Sequence, residues 1–203
     1  MSPRIVLATR NPGKIAELRR ILGDAGLAAE LVGTDAFPDL PDVPETAATF
    51  AGNALLKARA VAAITGLPAV ADDSGICVDA LNGMPGILSA RWSGRHGDDE
   101  ANLDLLLAQL SEVPPERRGA QFVCAAAVAL PSGAERVVEG VLAGHLIEHR
   151  RGTNGFGYDP VFVPEGYEVT TAQLQPADKD GISHRGQAFR ALVPVLAEVL
   201  GAG

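Results

Sequence analysis

Asp72 and Asp73 are adjacent carboxylates at the end of an apolar run, Ala69-Val70-Ala71, and Ser74-Gly75 follow them before a second extended run, Ile76-Cys77-Val78. Paired carboxylates at the mouth of an apolar strand can hold a divalent cation or supply a general base. Side chains alternate along a strand, so the two can face one site only if the strand has ended before them. The sequence reads as if it has, with Gly75 permitting a sharp turn. A turn in which Asp and Ser bond their own backbone explains the same residues. The stretch alone leaves both readings open.

Other groups capable of chemistry are spread along the chain. Thr9-Arg10-Asn11-Pro12-Gly13-Lys14 follows a predicted strand, Arg4 to Ala8, and precedes a helix with Ile15, Leu18, Ile21 and Leu22 on one face. Strand, small-residue loop and helix N-terminus make a place where backbone N–H groups can meet an anion. The GxxxxGK[ST] spacing is missing, so this is not a P-loop. Asn53 and Lys57 are four apart beside the apolar stripe Phe50, Ala54, Ala58 and Val61, and so project together from one helix. Thr46 or Thr49 caps that helix, and Glu45 stands just before it. Gly152 to Pro160 is rich in glycine and carries Phe156 and Tyr158, two aromatics that can stack on a planar ring or pack in a tight loop. Lys179 and Ser183-His184-Arg185-Gly186 add cations. His145 and His149 lie in or beside a predicted strand, which argues against a helical metal pair.

The elements that must position these groups read as α/β. Ala120 to Leu130 and Arg136 to Glu148 are two long strands around Pro131-Ser132-Gly133-Ala134, the first apolar on both faces and hence central. Glu30 to Val32 is a short strand, Ala101 to Leu110 a helix, and Val161-Phe162-Val163 a further strand. A last helix buries Phe189, Leu192, Val193, Leu196, Val199 and Leu200, with Pro194 expected to kink it or mark its start. At 203 residues, 47% hydrophobic and 21% charged, the chain suits one folded domain, 1–203, with two lobes. A net charge of −8 argues against a nucleic-acid surface. No apolar run reaches membrane-spanning length, and the N-terminus shows no secretory pattern. Cys77 and Cys124, both in apolar runs, read as free buried thiols. The expected compartment is the cytoplasm.

Taken in order, these stretches resemble the inosine triphosphate pyrophosphatase family, the XTP/dITP diphosphatases. The resemblance rests on Thr9-x-Asn11-x-x-Lys14, Glu45-Thr46, Thr49-Phe50-x-x-Asn53-Ala54-x-x-Lys57-Ala58, Ala71-Asp72-Asp73-Ser74-Gly75, Pro85-Gly86-Ile87 and Ser89-Ala90-Arg91. It continues through Gly155-Phe156-Gly157-Tyr158-Asp159-Pro160, Lys179 and Ser183-His184-Arg185-Gly186. Arg10, where the family more often has a small residue, and Pro194 depart from the pattern.

The resemblance implies a two-lobed α/β fold with an elongated central mixed sheet flanked by helices, a nucleotide cleft between the lobes, and a homodimer. It implies Mg²⁺-dependent hydrolysis of ITP, dITP and XTP to monophosphate and pyrophosphate, by attack of water on the α-phosphorus. Asp73 is then the general base and a metal ligand, with Glu45 and Asp72 as further metal positions. Thr9, Arg10, Asn11, Pro12, Gly13 and Lys14 would cradle the phosphates with Asn53, Lys57 and Ser74. Phe156, Gly157, Tyr158, Asp159, Lys179, His184 and Arg185 would take the base, the Arg185 guanidinium favouring a 6-keto oxygen over the 6-amino group of adenine. A catalytically silent nucleotide sensor is the alternative. A serine hydrolase built on Ser74 and His184 lacks a GxSxG elbow.

Overall fold

The structure is a computed structural model that describes residues 3–10, 12–26 and 29–201. Six strands form one mixed sheet in the order β2-β1-β3-β4-β5-β6. Strand β1 (Arg4–Leu7) pairs in parallel with β2 (Glu30–Gly33) and with β3 (Ala69–Val78). Strands β4 (Gly119–Ala129) and β5 (Glu135–Leu146) are neighbours joined by a tight turn, where the Leu130 N–H donates to the Ala134 carbonyl at 2.8 Å. So short a link requires an antiparallel pair. The edge strand β6 (Phe162–Pro164) is antiparallel to β5.

Helix α1 (Pro12–Asp24) follows β1, and Gly26, in the left-handed region at φ +70°, closes the turn after it. Helix α2 (Phe50–Thr65) leads into β3. Its cap is Thr49, whose side chain accepts from the Gly52 N–H at 3.0 Å. Helix α3 (Asp99–Gln109) is capped by Asp98. A short helix α4 (Pro176–Ile182), which the sequence pattern does not announce, carries Lys179. Helix α5 (His184–Gly201) runs on through Pro194. Pro194 therefore does not mark its start. Among the described residues no helix is long and apolar enough to cross a membrane.

The chain divides into two compact units, one of Met1–Asp73, Cys124–Gly140 and Arg185–Gly203, the other of Ser74–Val123 and Val141–His184. In the first unit the sheet buries both faces. Ile5, Leu7, Val70, Cys124, Ala126 and Val128 pack with Leu18, Leu22, Phe189 and Leu192 of α1 and α5. The alternate residues Val6, Ala69, Ala71, Ala125 and Ala127 pack with Ala54, Ala58 and Val61 of α2. Two buried faces explain why these strands read as unbroken apolar runs. The second unit has its own core, in which Ile76, Val78, Leu103, Leu106, Phe122 and Phe162 meet.

Candidate active site

Strand β3 does not end at the carboxylates. It continues through Asp72-Asp73-Ser74-Gly75 to Val78, so the expected sharp turn at Gly75 is absent. The pleat therefore keeps alternating, and the two aspartates part company. Asp72 follows Val70 toward α1 and α5, and Asp73 follows Ala69 and Ala71 toward α2. Their partners confirm the split.

On the Asp72 side, Lys14 Nζ donates to Asp72 Oδ2 at 2.9 Å and Arg185 Nε to the same oxygen at 3.3 Å. Arg185 Nη1 donates to Glu17 Oε2 at 2.5 Å. The Arg185 side chain is only 3% exposed. Burial by itself would raise the Asp72 pKa, but the Lys14, Arg185 and Lys57 charges outweigh it and hold the carboxyl well below the usual range. Burial likewise works against the Arg185 charge, and Asp72 and Glu17 overcome it, so its pKa is raised. Asp72 Oδ1 is buried without a hydrogen-bond partner.

On the Asp73 side, Asn53 Nδ2 donates to Asp73 Oδ2 at 3.0 Å, while Asn53 Oδ1 accepts from the Ala47 N–H at 2.9 Å. Lys57 Nζ donates to Glu45 Oε1 at 2.8 Å and lies 3.7 Å from Asp73 Oδ1. Burial raises the Asp73 pKa above the ordinary carboxylate value, although Lys57 and the Asn53 hydrogen bond pull the other way. Burial pulls the Lys57 ammonium down, yet Asp72, Asp73 and Glu45 leave its pKa raised.

A metal ion suits this side better than the other. One cation, the Lys57 ammonium, already spans Glu45 and Asp73. Among the described residues no group of three or more His, Cys, Asp or Glu could hold a metal. A pair of carboxylates fits a cation such as Mg²⁺, which takes its remaining ligands from water and phosphate oxygens, and does not fit a closed zinc site. Asp72, expected as a third metal position, is turned by the pleat to Lys14 and Arg185 instead.

Asn11 lies outside the described residues; Pro12 and Gly13 open α1. Thr9 is half-buried, its carbonyl accepting from Thr34 Oγ1 at 3.1 Å. Arg10 is held by the acidic loop, Nη1 to Asp42 Oδ1 at 2.6 Å and Nη2 to the Leu40 carbonyl. Ser74 is half-buried where β3 enters the second unit.

In the second unit Asp159 organises the glycine-rich loop. Its Oδ2 accepts from the Phe156 N–H at 2.9 Å and from Lys179 Nζ at 2.5 Å, and Oδ1 accepts from Thr171 Oγ1 at 2.8 Å. A Cβ on Gly155, at φ +78°, would lie 2.1 Å from Asp159 Oδ2, so only glycine fits there. The Gly157 N–H donates to Asp99 Oδ2 at 3.0 Å. The two aromatics differ: Tyr158 is buried with its hydroxyl donating to the Ser89 carbonyl, whereas Phe156 is 41% exposed with Lys179 Nζ 5.3 Å from its ring centroid. Only Phe156 presents a face for stacking. The His184 ring stacks on Phe122 at 4.9 Å and an interplanar angle of 12°.

Glu17, which helical spacing puts off the Ile15-Leu18-Ile21-Leu22 face of α1, is buried in the structure and bonded to Arg185. It sits four before Ile21 and beside Leu18, against the buried stripe, and three after Lys14. That spacing was the available signal.

Comparison with known proteins finds relatives along nearly the whole chain. A protein of Streptomyces avermitilis named "dITP/XTP pyrophosphatase" is 68% identical over 198 residues, covering 98% of this chain and 99% of the relative. The crystal structure of the nucleoside-triphosphatase / dITP/XTP pyrophosphatase of Mycobacterium abscessus matches with a TM-score of 0.78 at 57% identity, over 95% of this chain and 99% of that one. The structure of a HAM1 protein from Coxiella burnetii matches with a TM-score of 0.87 at 40% identity, over 97% and 99%. The Ham1 family model matches residues 5–195, and the chain belongs to the Ham1 family.

Proposed function

We propose that the chain is a Mg²⁺-dependent pyrophosphatase that cleaves non-standard purine nucleoside triphosphates, ITP, dITP and XTP, to monophosphate and pyrophosphate. The observation that carries the reading is the buried Asp73, its pKa raised by burial and one oxygen tied by Asn53, beside Glu45 and Lys57. A carboxylate whose pKa burial raises holds a proton more strongly than a free one and is suited to take one from water as it attacks. Relatives named dITP/XTP pyrophosphatase across the length of the chain give the substrate class.

Glu45 and Asp73 would hold Mg²⁺. When bound, the ion neutralises phosphate charge and lowers the barrier to an in-line displacement. Asp73 accepts the proton of the attacking water, and the P–O bond between the α-phosphorus and the bridging oxygen breaks, with pyrophosphate leaving. Lys14, its Nζ on Asp72, offers a point charge to the departing phosphates, and Pro12 and Gly13 open α1 just before it. Lys57 adds a second cation. In this reading Asp72 orients Lys14.

For the base, Phe156 supplies the stacking face and Lys179 a cation beside it. The proposed reading of a 6-keto oxygen by Arg185 requires its guanidinium to exchange a bond to Glu17 or Asp72 for one to the substrate. A mismatched buried polar group costs about 1–3 kcal/mol, roughly tenfold or more against ATP. The proposal includes a homodimer, which the mass in solution checks. The test is pyrophosphate release with Mg²⁺ across ITP, dITP, XTP, GTP and ATP. Turnover of the first three well above ATP is expected, and equal turnover of ATP and ITP would overturn the specificity.

A further inference from the structure

Asn53 has the residue type of a phosphate contact, but its surroundings are those of a brace. It is 0% exposed, in the first turn of α2. Both ends of its amide are committed within the protein. Oδ1 accepts from the Ala47 N–H at 2.9 Å, and Nδ2 donates to Asp73 Oδ2 at 3.0 Å. An amide side chain accepts from a backbone N–H with its oxygen and donates to a carboxylate with its nitrogen without adding charge. The segment it grips lies tight against α2, since a Cβ on Gly52 would come within 2.6 Å of the Ala47 Cβ. Glu45 is two residues from Ala47, and one helical turn beyond Asn53 the Lys57 ammonium joins Glu45 to Asp73 Oδ1. The α2 face thus ties the Glu45–Ala47 segment to β3 twice, once through a neutral amide and once through a cation.

The geometry points to Asn53 as a positioning residue that clamps Asp73 to the Glu45-bearing segment and fixes Asp73 Oδ1 as the oxygen turned to the Lys57 side. The inference rests on the proposed activity for its catalytic consequence and on the structure alone for the clamp. Bonding at Oδ2 stops rotation about the Asp73 carboxyl torsion, and a reacting group displaced by about 1 Å loses on the order of a hundredfold in rate. At 0% exposure, with both ends of its amide already bonded, Asn53 offers no free group to a ligand, so its role is set apart from ground-state binding.

The test compares wild type with Asn53→Leu, which removes both bonds, and Asn53→Asp, which keeps the acceptor for Ala47 but replaces the donor by a carboxylate. Two readouts are taken: kcat and KM for XTP with Mg²⁺, and hydrogen exchange at the Ala47 amide in metal-free protein. Asn53→Leu is expected to lose about tenfold to a hundredfold in kcat, with KM within about twofold and Ala47 exchange accelerated. Asn53→Asp is expected to lose kcat while Ala47 stays protected. Should Asn53→Leu not fold, the Asn53→Asp pattern alone decides. A rise in KM at unchanged kcat would make Asn53 a substrate contact and overturn the clamp. A kcat per folded molecule equal to wild type in both variants would also overturn it. If wild type releases no pyrophosphate from any nucleotide, the proposed activity fails, whereas Ala47 exchange still decides whether the clamp exists.

Discussion

Replacing Arg185 by Met separates a structural charge cluster from a ligand-reading guanidinium. In the structure Lys14, Arg185, Glu17 and Asp72 form two cations and two anions, with side-chain exposures of 3% for Arg185, 8% for Glu17 and 1% for Asp72. Met fills much of the arginine stem's volume, so the change is chiefly electrostatic. Lys14 stays on Asp72 at 2.9 Å, so Glu17 is the charge left buried without its cation. Breaking a buried pair from one side costs about 3–5 kcal/mol, and the surviving Lys14 contact puts the expectation at the lower end, about 3. For a chain of this length that lowers Tm by roughly 6–12 °C. Scanning calorimetry or urea unfolding of the ligand-free protein reads the loss directly. Adding Glu17→Leu to Arg185→Met removes the orphaned carboxylate and should restore part of the stability, the non-additivity expected of residues in contact. An Arg185→Met variant within 1 kcal/mol of wild type, by the same unfolding curves, would refute the cluster and return Arg185 to ligand reading alone.

The Asp72 carboxyl makes a prediction in pH. Its folded pKa lies below the unfolded value, so its stabilisation is present above about pH 3.9 and is lost as pH falls through that value toward the folded pKa. Asp72→Asn should therefore cost stability at pH 7 and progressively less at pH 3, by urea midpoints at the two pH values; an equal cost at both would contradict the assignment. Phe156→Ala removes the one exposed aromatic face of the glycine-rich loop and should raise nucleotide KM about tenfold to a hundredfold with kcat nearly unchanged. A KM that does not move would take Phe156 out of base binding.

Much of the first unit was legible because both faces of its sheet are buried. Val70, Ala71, Cys124, Ala126 and Val128 announce strands by composition, and Leu18, Ile21 and Leu22 announce α1 by period. The mistake came at Asp72-Asp73-Ser74-Gly75, residues depleted from strands, which read as a stop. Ladder pairing and burial override that local preference, and the consequence is chemical: adjacent aspartates serve opposite faces. Asn53 and Glu17 were illegible in role for a related reason. Helical spacing shows which residues share a face, but not that Asn53 is sealed beneath the Ala47 segment or that Glu17 meets an arginine 168 positions away. Helix α4 escaped because Asp178, Lys179, Asp180 and Gly181 carry no apolar stripe.

The most direct test of the account is hydrolysis of ITP in ¹⁸O-labelled water with Mg²⁺, by wild type and by Asp73→Asn. Label in the inosine monophosphate and none in the pyrophosphate, with turnover lost in Asp73→Asn while the variant stays folded, is the predicted result. Label in the pyrophosphate, release of inorganic phosphate with a diphosphate product, or an Asp73→Asn variant as active as wild type would contradict it.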